Sequence, residues 1–424
     1  MEQKPAHANA PLDLSKWRNV PMILMVAGGG VSLIGVFVNP RQFAFSWLLS
    51  FMFFLSFGLG ALFLVLAHHL FDAGWSVPIR RFCEHIASLL FPCMAFLFLP
   101  IVFLAPKLYG WMHEDPKYDP SLKAKLPLFT TPGFYLVAVF CFLVWWVLTH
   151  RLRYWSLKQD ETGAALPTYR MRFISGLGVF FYAITLTLAA IVWMQALQFQ
   201  WFSTMYGVYY FAGSVWVMLA TAYVITMILD RRGVLTEVLH EHQYYFIGSL
   251  LFAFTVFYAY ITFAQYFIIW NGNIPEETFW YLLREKGTWW YIGLVIIFGH
   301  FFVPFLALLR IDVKSKFAYM VPLCAWGWLM HWLDLSFNIM PVLHKNNFVV
   351  SWIDVGCWAF MGGLLTLVFL KKYASTPPYP IKDPRLVEAM GLYHPVPTQI
   401  SGGELGEIDD LRDAPPQFQS GRPK

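Results

Sequence analysis

Charge is scarce in this chain: of 424 residues only 13% are Asp, Glu, Lys or Arg, about half the roughly 25% of an ordinary soluble domain. Cysteine is thin as well. The five, Cys83, Cys93, Cys141, Cys324 and Cys357, fall in or at apolar runs without C-x-x-C spacing, which argues against an iron–sulfur cluster, a zinc site or a covalently attached haem. They read as helix-packing thiols. No stretch alternates polar and apolar residues over the ~10 positions of a membrane barrel strand. The small net charge of +5 reflects topology and contact with anionic lipid and calls for no nucleic acid.

What is abundant is apolar surface: 58% of residues are hydrophobic and 19% aromatic. Crossing a ~30 Å hydrocarbon core takes about 20 apolar residues in a helix. Ten runs qualify: Val20 to Val38, Phe43 to Leu70, Phe82 to Leu104, Pro132 to Leu148, Phe173 to Ala196, Gly207 to Leu229, Tyr244 to Trp270, Trp290 to Leu309, Phe317 to Met340 and Phe348 to Leu370. The prediction is an all-α integral membrane protein with ten transmembrane helices and no interrupted pair of spans. The first run exceeds a signal-peptide core and has no A-x-A cleavage site after it, so it reads as a retained helix.

Ten crossings put both termini on one side of the membrane. That side carries 22 of the 30 Lys and Arg residues, and still 15 against 8 when the tail is set aside, so both termini are expected in the cytoplasm. The chain divides into a cytoplasmic segment 1–18, a transmembrane domain 19–372 and a Pro-rich cytoplasmic tail 373–424, which either drapes over a neighbour or stays free. Outside, the polar stretch Ala105 to Thr131 suits contact with a partner. In the segment Asn271 to Thr288, Pro275 followed by Glu276 and Glu277 predicts a turn and a short helix. The glycines Gly28 to Gly30, Gly58, Gly60, Gly362 and Gly363 lie inside spans and are expected to let helices approach closely.

Ionisable groups inside apolar spans are costly and default to functional hypotheses. His331, Asp334 and Asn338 share a face of the ninth span at spacings of three, four and seven. Asp354 enters the tenth span about two turns from the outer surface, so these four are expected to meet in the outer half. His300 falls near the middle of the eighth span. His68 and His69 close the second span while Glu84 and His85 open the third, with Arg80 and Arg81 close enough for helical salt bridges. Imidazoles and desolvated carboxylates can pass protons across an apolar layer. Against that stand hydrogen-bonded pairs that merely lock helices together, and span ends that merely face headgroups.

The residues bear on two cofactors. A quinone head group would suit the outer-side polar clusters of Gln195, Gln198 and Gln200, and of Tyr258, Thr262 and Gln265, among aromatics. Ordinary interfacial aromatic belts explain the same residues. A haem would need two facing imidazoles, for which only His300 and His331 lie at comparable depth.

Four motifs carry a family resemblance: Trp201-Phe-Ser-Thr-Met-Tyr-Gly-Val-Tyr-Tyr-Phe-Ala-Gly213, Gln265-Tyr-Phe-Ile-Ile-Trp-Asn-Gly-Asn-Ile-Pro-Glu-Glu277, Gly299-His-Phe-Phe-Val-Pro-Phe305 and His331-Trp-Leu-Asp-Leu-Ser-Phe-Asn-Ile-Met-Pro341. In these the chain resembles the F subunit of alternative complex III, a ten-helix relative of the polysulfide-reductase and NrfD-type membrane anchors. The likeness spans the second to tenth helices and reaches Asp383-Pro384-Arg385 in the tail. It implies two four-helix bundles, spans two to five and six to nine, flanked by spans one and ten. It implies a bacterial inner-membrane subunit of a quinol:electron-acceptor oxidoreductase, non-catalytic alone, beside a homologous membrane subunit and partners that carry the iron–sulfur centres and c-type haem. Residue by residue, His331 and Asp334 match the family's His-x-x-Asp, Asp354 an early acid of the tenth helix, and His300 the Gly-His-Phe run. Where members commonly carry an acid before Trp-Phe-Ser-Thr, this chain has Met194 to Gln200 without one, which weakens any acid-assisted step there.

The expectation is a proton-conducting subunit with half-channels, His68, His69, Glu84 and His85 on the inner side and His331, Asp334 and Asp354 on the outer, with possible quinone contacts at Gln195, Gln198, Tyr258 and Gln265. The rivals are a stand-alone proton-coupled transporter and a structural anchor.

Overall fold

The computed structural model describes residues 14–391, and among these the chain is helices and short connections with no strand. Residues 1–13 of the expected segment 1–18 and 392–424 of the expected tail 373–424 lie outside the described residues. Among the described residues, nine segments are long and apolar enough to cross a membrane: Ser15–Val38, Pro40–Leu70, Gly74–Leu108, Thr131–Thr162, Leu166–Gln198, Tyr206–Arg231, His242–Gly272, Trp289–Leu309 and Trp352–Ala374. They coincide with nine of the ten expected spans. The remaining one is a helix, α14 (Phe317–Ile339), whose 23 residues give about 35 Å of rise. It falls short in apolarity because His331, Asp334, Ser336 and Asn338 sit in one half of it.

Helix starts follow their sequence signals. Asn39 caps α2 (Pro40–Leu70) by accepting from the Gln42 amide, with Pro40 at the first position. Thr130 caps α6 (Thr131–Thr162) in the same way, and Gly163 ends it at φ 64°. The predicted short helix is α10 (Pro275–Arg284), with Glu276 and Glu277 in its first turn. Ser351 and Asp354 form a capping box at the head of α15 (Trp352–Ala374).

α1 (Asn19–Val38) packs along α15 through glycines. A Cβ on Gly28 would strike the backbone at Phe360, and one on Gly363 the backbone at Met25. Gly30 is the exception to the close-packing expectation, with nothing in reach. α2 and α8 (Tyr206–Arg231) are the most enclosed spans and touch where a Cβ on Gly60 would strike the Ser214 carbonyl oxygen. Around them stand α7 (Leu166–Ala189), α9 (Glu241–Gly272) and α14.

Three spans are interrupted, against expectation. The third runs as α3 (Val77–Ala87), a wide π turn at Leu90–Met94 with Phe91 extended (φ −144°, ψ 132°), and α4 (Ala95–Leu108). π turns at Ala190–Met194 and Ile297–Phe302 follow α7 and separate α11 (Trp289–Ile296) from α12 (Val303–Leu309). Such turns are frequent at functional sites, and the last contains His300.

Each end of the bundle is closed by ordered chain. At the end opposite the tail, the polar stretch 105–131 folds onto the bundle by burying Trp111 and Leu122 of α5 (Pro120–Ala124). Lys125 donates its Nζ to the Phe199 and Trp201 carbonyls. At the tail end lies α13 (Ile311–Ser315). There residues 375–391 lie back over the chain's own helices. The Tyr373 hydroxyl donates to the Pro378 carbonyl at 3.0 Å. Gln243 donates to the Ala389 carbonyl at 2.7 Å, in α16 (Leu386–Ala389).

Candidate functional site

Two extended polar groups are buried among the described residues. The first is built on the inner face of α14. His331 places Nε2 2.9 Å from the Ser56 hydroxyl of α2 and rests on Gly213 of α8, while its Nδ1 meets no partner. One turn on, Asp334 is faced by the Tyr209 and Tyr258 hydroxyls. Tyr258 lies beside the carboxylate yet closes no well-formed hydrogen bond. Asn338 donates to the Tyr209 hydroxyl at 2.7 Å and to the Asp334 carbonyl at 2.8 Å, and its Oδ1 accepts from Tyr206 at 3.1 Å. The stripe at spacings of three and four therefore becomes a continuous polar edge against α8 and α9.

His300 extends this group. Its imidazole lies between Trp216 and Tyr258, with ring centroids at 4.3 and 4.0 Å, and neither nitrogen has a partner. A fully enclosed imidazole with both nitrogens unsatisfied is costly. On α2, Ser56 and His68 are separated by apolar residues only, Phe57 to Ala67, about 18 Å of helix. Gly60 meets Ser214, and Trp216 follows two residues later. His300 thus stands inside that apolar layer.

Toward the end opposite the tail the group terminates at Arg284 of α10. The guanidinium lies over the Trp280 ring, 3.3 Å from its centroid, and donates to the carbonyls of Phe337, Asn338 and Trp280 and to Gln198 Oε1 at 2.8 to 3.0 Å. Burial lowers its pKa, but a guanidinium stays protonated at neutral pH. It satisfies the last carbonyls of α14 and brings positive charge to a helix C-terminus, where it is favourable.

Asp354 does not join this group, which corrects the expected meeting of four. Its carboxylate accepts from Ser46 and Gln42 of α2 and from the Ser351 amide, and Gln42 Oε1 lies 2.8 Å from His344 Nε2. Depth alone placed it with Asp334. Its direction is set by the capping box, which turns it toward the first turns of α2.

The second polar group, at the tail end, holds more charge. The expected helical salt bridges form: Arg80 Nε to Glu84 Oε1 at 3.1 Å and Arg81 Nη1 to Glu84 Oε2 at 3.0 Å. Arg80 also pairs with Asp383 of the tail and Arg81 with Asp160 of α6. Arg385 bonds Asp383 and Asp72, and Arg172 bonds Asp72. Burial would raise the Asp383 pKa, but the Arg80 and Arg385 guanidiniums more than reverse this and hold it well below the usual carboxylate range.

His68, His69, Glu84 and His85 are all buried rather than facing headgroups. Arg80 Nη1 lies 3.1 Å from His68 Nε2, and Ser76 Oγ 2.6 Å from Nδ1. His85 sits apart, between Arg153 at 2.7 Å and Thr376 at 2.8 Å. His69 has no partner on either nitrogen.

Of the possible quinone contacts, Gln198 is engaged by Arg284, and Gln265 by Ser203 at 2.9 Å and Tyr281 at 3.2 Å. The Gln195 side-chain amide nitrogen and the Tyr258 hydroxyl are unpartnered. Tyr258 belongs with His300 and Asp334. Sequence reasoning missed Ser56, Tyr206, Tyr209, Arg284, Asp160 and Asp383 as members of these groups. Arg284 carried a signal, a lone cation among the aromatics of a short helix; the tyrosines carried none.

No protein-family model matches this chain, and no curated protein matches it. The likeness to the alternative complex III subunit rests on the four quoted motifs alone.

Proposed function

We propose that this chain is a membrane subunit of a quinol:electron-acceptor oxidoreductase of the alternative complex III kind, conducting protons and contributing no catalysis alone. In this reading α14 is the ninth of ten spans, which form two four-helix bundles flanked by α1 and α15 in a bacterial cytoplasmic membrane. Both termini are cytoplasmic. Quinol oxidation, iron–sulfur centres and c-type haem belong to partner subunits.

The observation that carries the reading is the row Ser56, His331, Asp334, Tyr258 and His300. It sets a carboxylate, two imidazoles and a phenol in one enclosed edge, with imidazole nitrogens left free to bind a proton or a water. The tail-end group with His68, His69 and Glu84 supplies titratable side chains on the other side of the apolar layer. The two make half-channels, and His300 is the stepping stone between them. Its two ring neighbours, Trp216 and Tyr258, are aromatic, so the layer stays closed until side chains move or water enters.

The second reading, a stand-alone secondary transporter, is favoured by the three interrupted spans, because transport folds place ligands at broken helices. Affinity purification of the tagged chain in mild detergent separates the two. Co-purification with subunits showing c-type haem absorbance supports the first; a chain that emerges alone or as a homo-oligomer contradicts it.

A further inference from the structure

Beside the tail-end polar group, α2, α3, α8 and α9 enclose a cavity of about 360 Å³. Its walls are apolar, chiefly Phe63, Trp75, Leu250 and Phe254, and polar atoms come only at one end, from His68, Ser76 and Arg80. Phe63, Leu250 and Phe254 are half-buried, so the opening is on the apolar flank of the bundle. A ligand reaching it would come from among lipid chains.

Charge and hydrogen bonding at the polar end restrict what fits. Arg80 is one of four arginines tied to four carboxylates: Arg80, Arg81, Arg172 and Arg385 with Glu84, Asp72, Asp160 and Asp383. The network is balanced, so an added anion or cation would meet no uncompensated partner. Arg80 can only donate, so His68 Nε2 facing it is an acceptor and Nδ1 carries the proton. That N–H donates to Ser76 Oγ, which itself donates to the Ala73 carbonyl at 3.0 Å. Arg80 Nη1 and Nη2 are engaged by Asp383, His68, Ser156 and Gln159, and its Nε, enclosed away from the cavity space, pairs in charge with Glu84 without closing a well-formed hydrogen bond. What remains at the polar end is one lone pair on Ser76 Oγ, an acceptor.

We infer that this cavity binds a neutral long-chain lipid through a hydroxyl head, which donates to Ser76 Oγ while the chain lies against Phe63, Leu250 and Phe254. A quinol and a lipid alcohol or diacylglycerol share this chemistry. The inference does not depend on the proton reading.

The test is photolabelling of the full chain in nanodiscs with a diazirine-bearing hexadecanol, read by mass spectrometry of the peptides around residues 63–83 and 246–254. Labelling there is expected to saturate and to be displaced by unlabelled hexadecanol. A short-tailed quinol and a diacylglycerol as further competitors identify which natural source fits better, and displacement by either supports the site. Palmitate, being charged, should compete at least tenfold less well. Ala67→Phe, which fills the cavity, should abolish the label; Ala73→Leu does so from the turn if the first variant does not fold. Ser76→Ala removes the acceptor and exposes the His68 N–H, which can donate to a hydroxyl or to a ketone oxygen, so the preference for hexadecanol over a ketone of equal chain length should fall about tenfold. Non-saturable labelling, labelling unchanged in the filled variants, equal competition by palmitate, or an unchanged alcohol-over-ketone preference in Ser76→Ala would overturn the inference.

Discussion

Asp383 of the tail and Arg80 of α3, 303 residues apart, form an ion pair with both side chains fully enclosed. Residues 375–391 are thereby part of the polar plug at the tail end of the bundle. Removing one partner strands the other, and stranding a buried charge costs about 3–5 kcal/mol. Asp383→Ala is expected to lower the melting temperature in detergent and to expose 375–391 to limited proteolysis, with the helical core intact.

The same pair sets a pH expectation. The native pKa of Asp383 is depressed, so its stabilisation is complete above the unfolded carboxylate value near ~4 and is lost only as pH falls through the lower native value. Tail protection from proteolysis should be flat from about pH 8 to about pH 5 and should fall only in stronger acid. Loss of protection near pH 6 to 7 would point to a histidine instead.

Gly60 and Gly30 make a matched pair. A Cβ at Gly60 meets the Ser214 carbonyl oxygen, whereas one at Gly30 meets nothing within 4 Å. Gly60→Ala should force α2 and α8 apart at a cost of about 1–3 kcal/mol. Gly30→Ala should be neutral or stabilising by up to about 1 kcal/mol. Thermal unfolding of the two variants side by side checks both signs.

Arg284 ties α10 to the end of α14 through the Phe337 and Asn338 carbonyls, and also donates to Gln198 and to the Trp280 carbonyl of its own helix. Its removal leaves buried acceptors unpaired, each worth about 1–3 kcal/mol. Arg284→Ala should destabilise by several such increments, and Arg284→Lys only partly restore it, because a lysine ammonium lacks the planar fork. Thermal unfolding in nanodiscs reads both.

Apolar run length was enough to place nine spans, and Pro275 with Glu276 and Glu277 was enough to place α10. Spacing of three, four and seven correctly put His331, Asp334 and Asn338 on one face. Three features were hidden for physical reasons. The π turn at His300 leaves the run of apolar residues unbroken, so hydropathy does not register it. Asp354 has the depth of Asp334 but a different azimuth, fixed by Ser351. The tail's docking depends on pairs such as Asp383 with Arg80, whose separation in sequence no local pattern reveals.

The central claim is that the row of Asp334, His331 and His300 carries protons. Its most direct test is the proton-to-electron ratio of the reconstituted assembly in proteoliposomes with Asp334→Asn, which keeps the shape and the tyrosine contacts but removes the titratable oxygen. The account expects normal assembly, heme content and quinol-oxidising capacity in the partners, with a clear fall in protons moved per electron. An unchanged ratio in a correctly assembled variant would contradict it and leave the buried row as scaffolding.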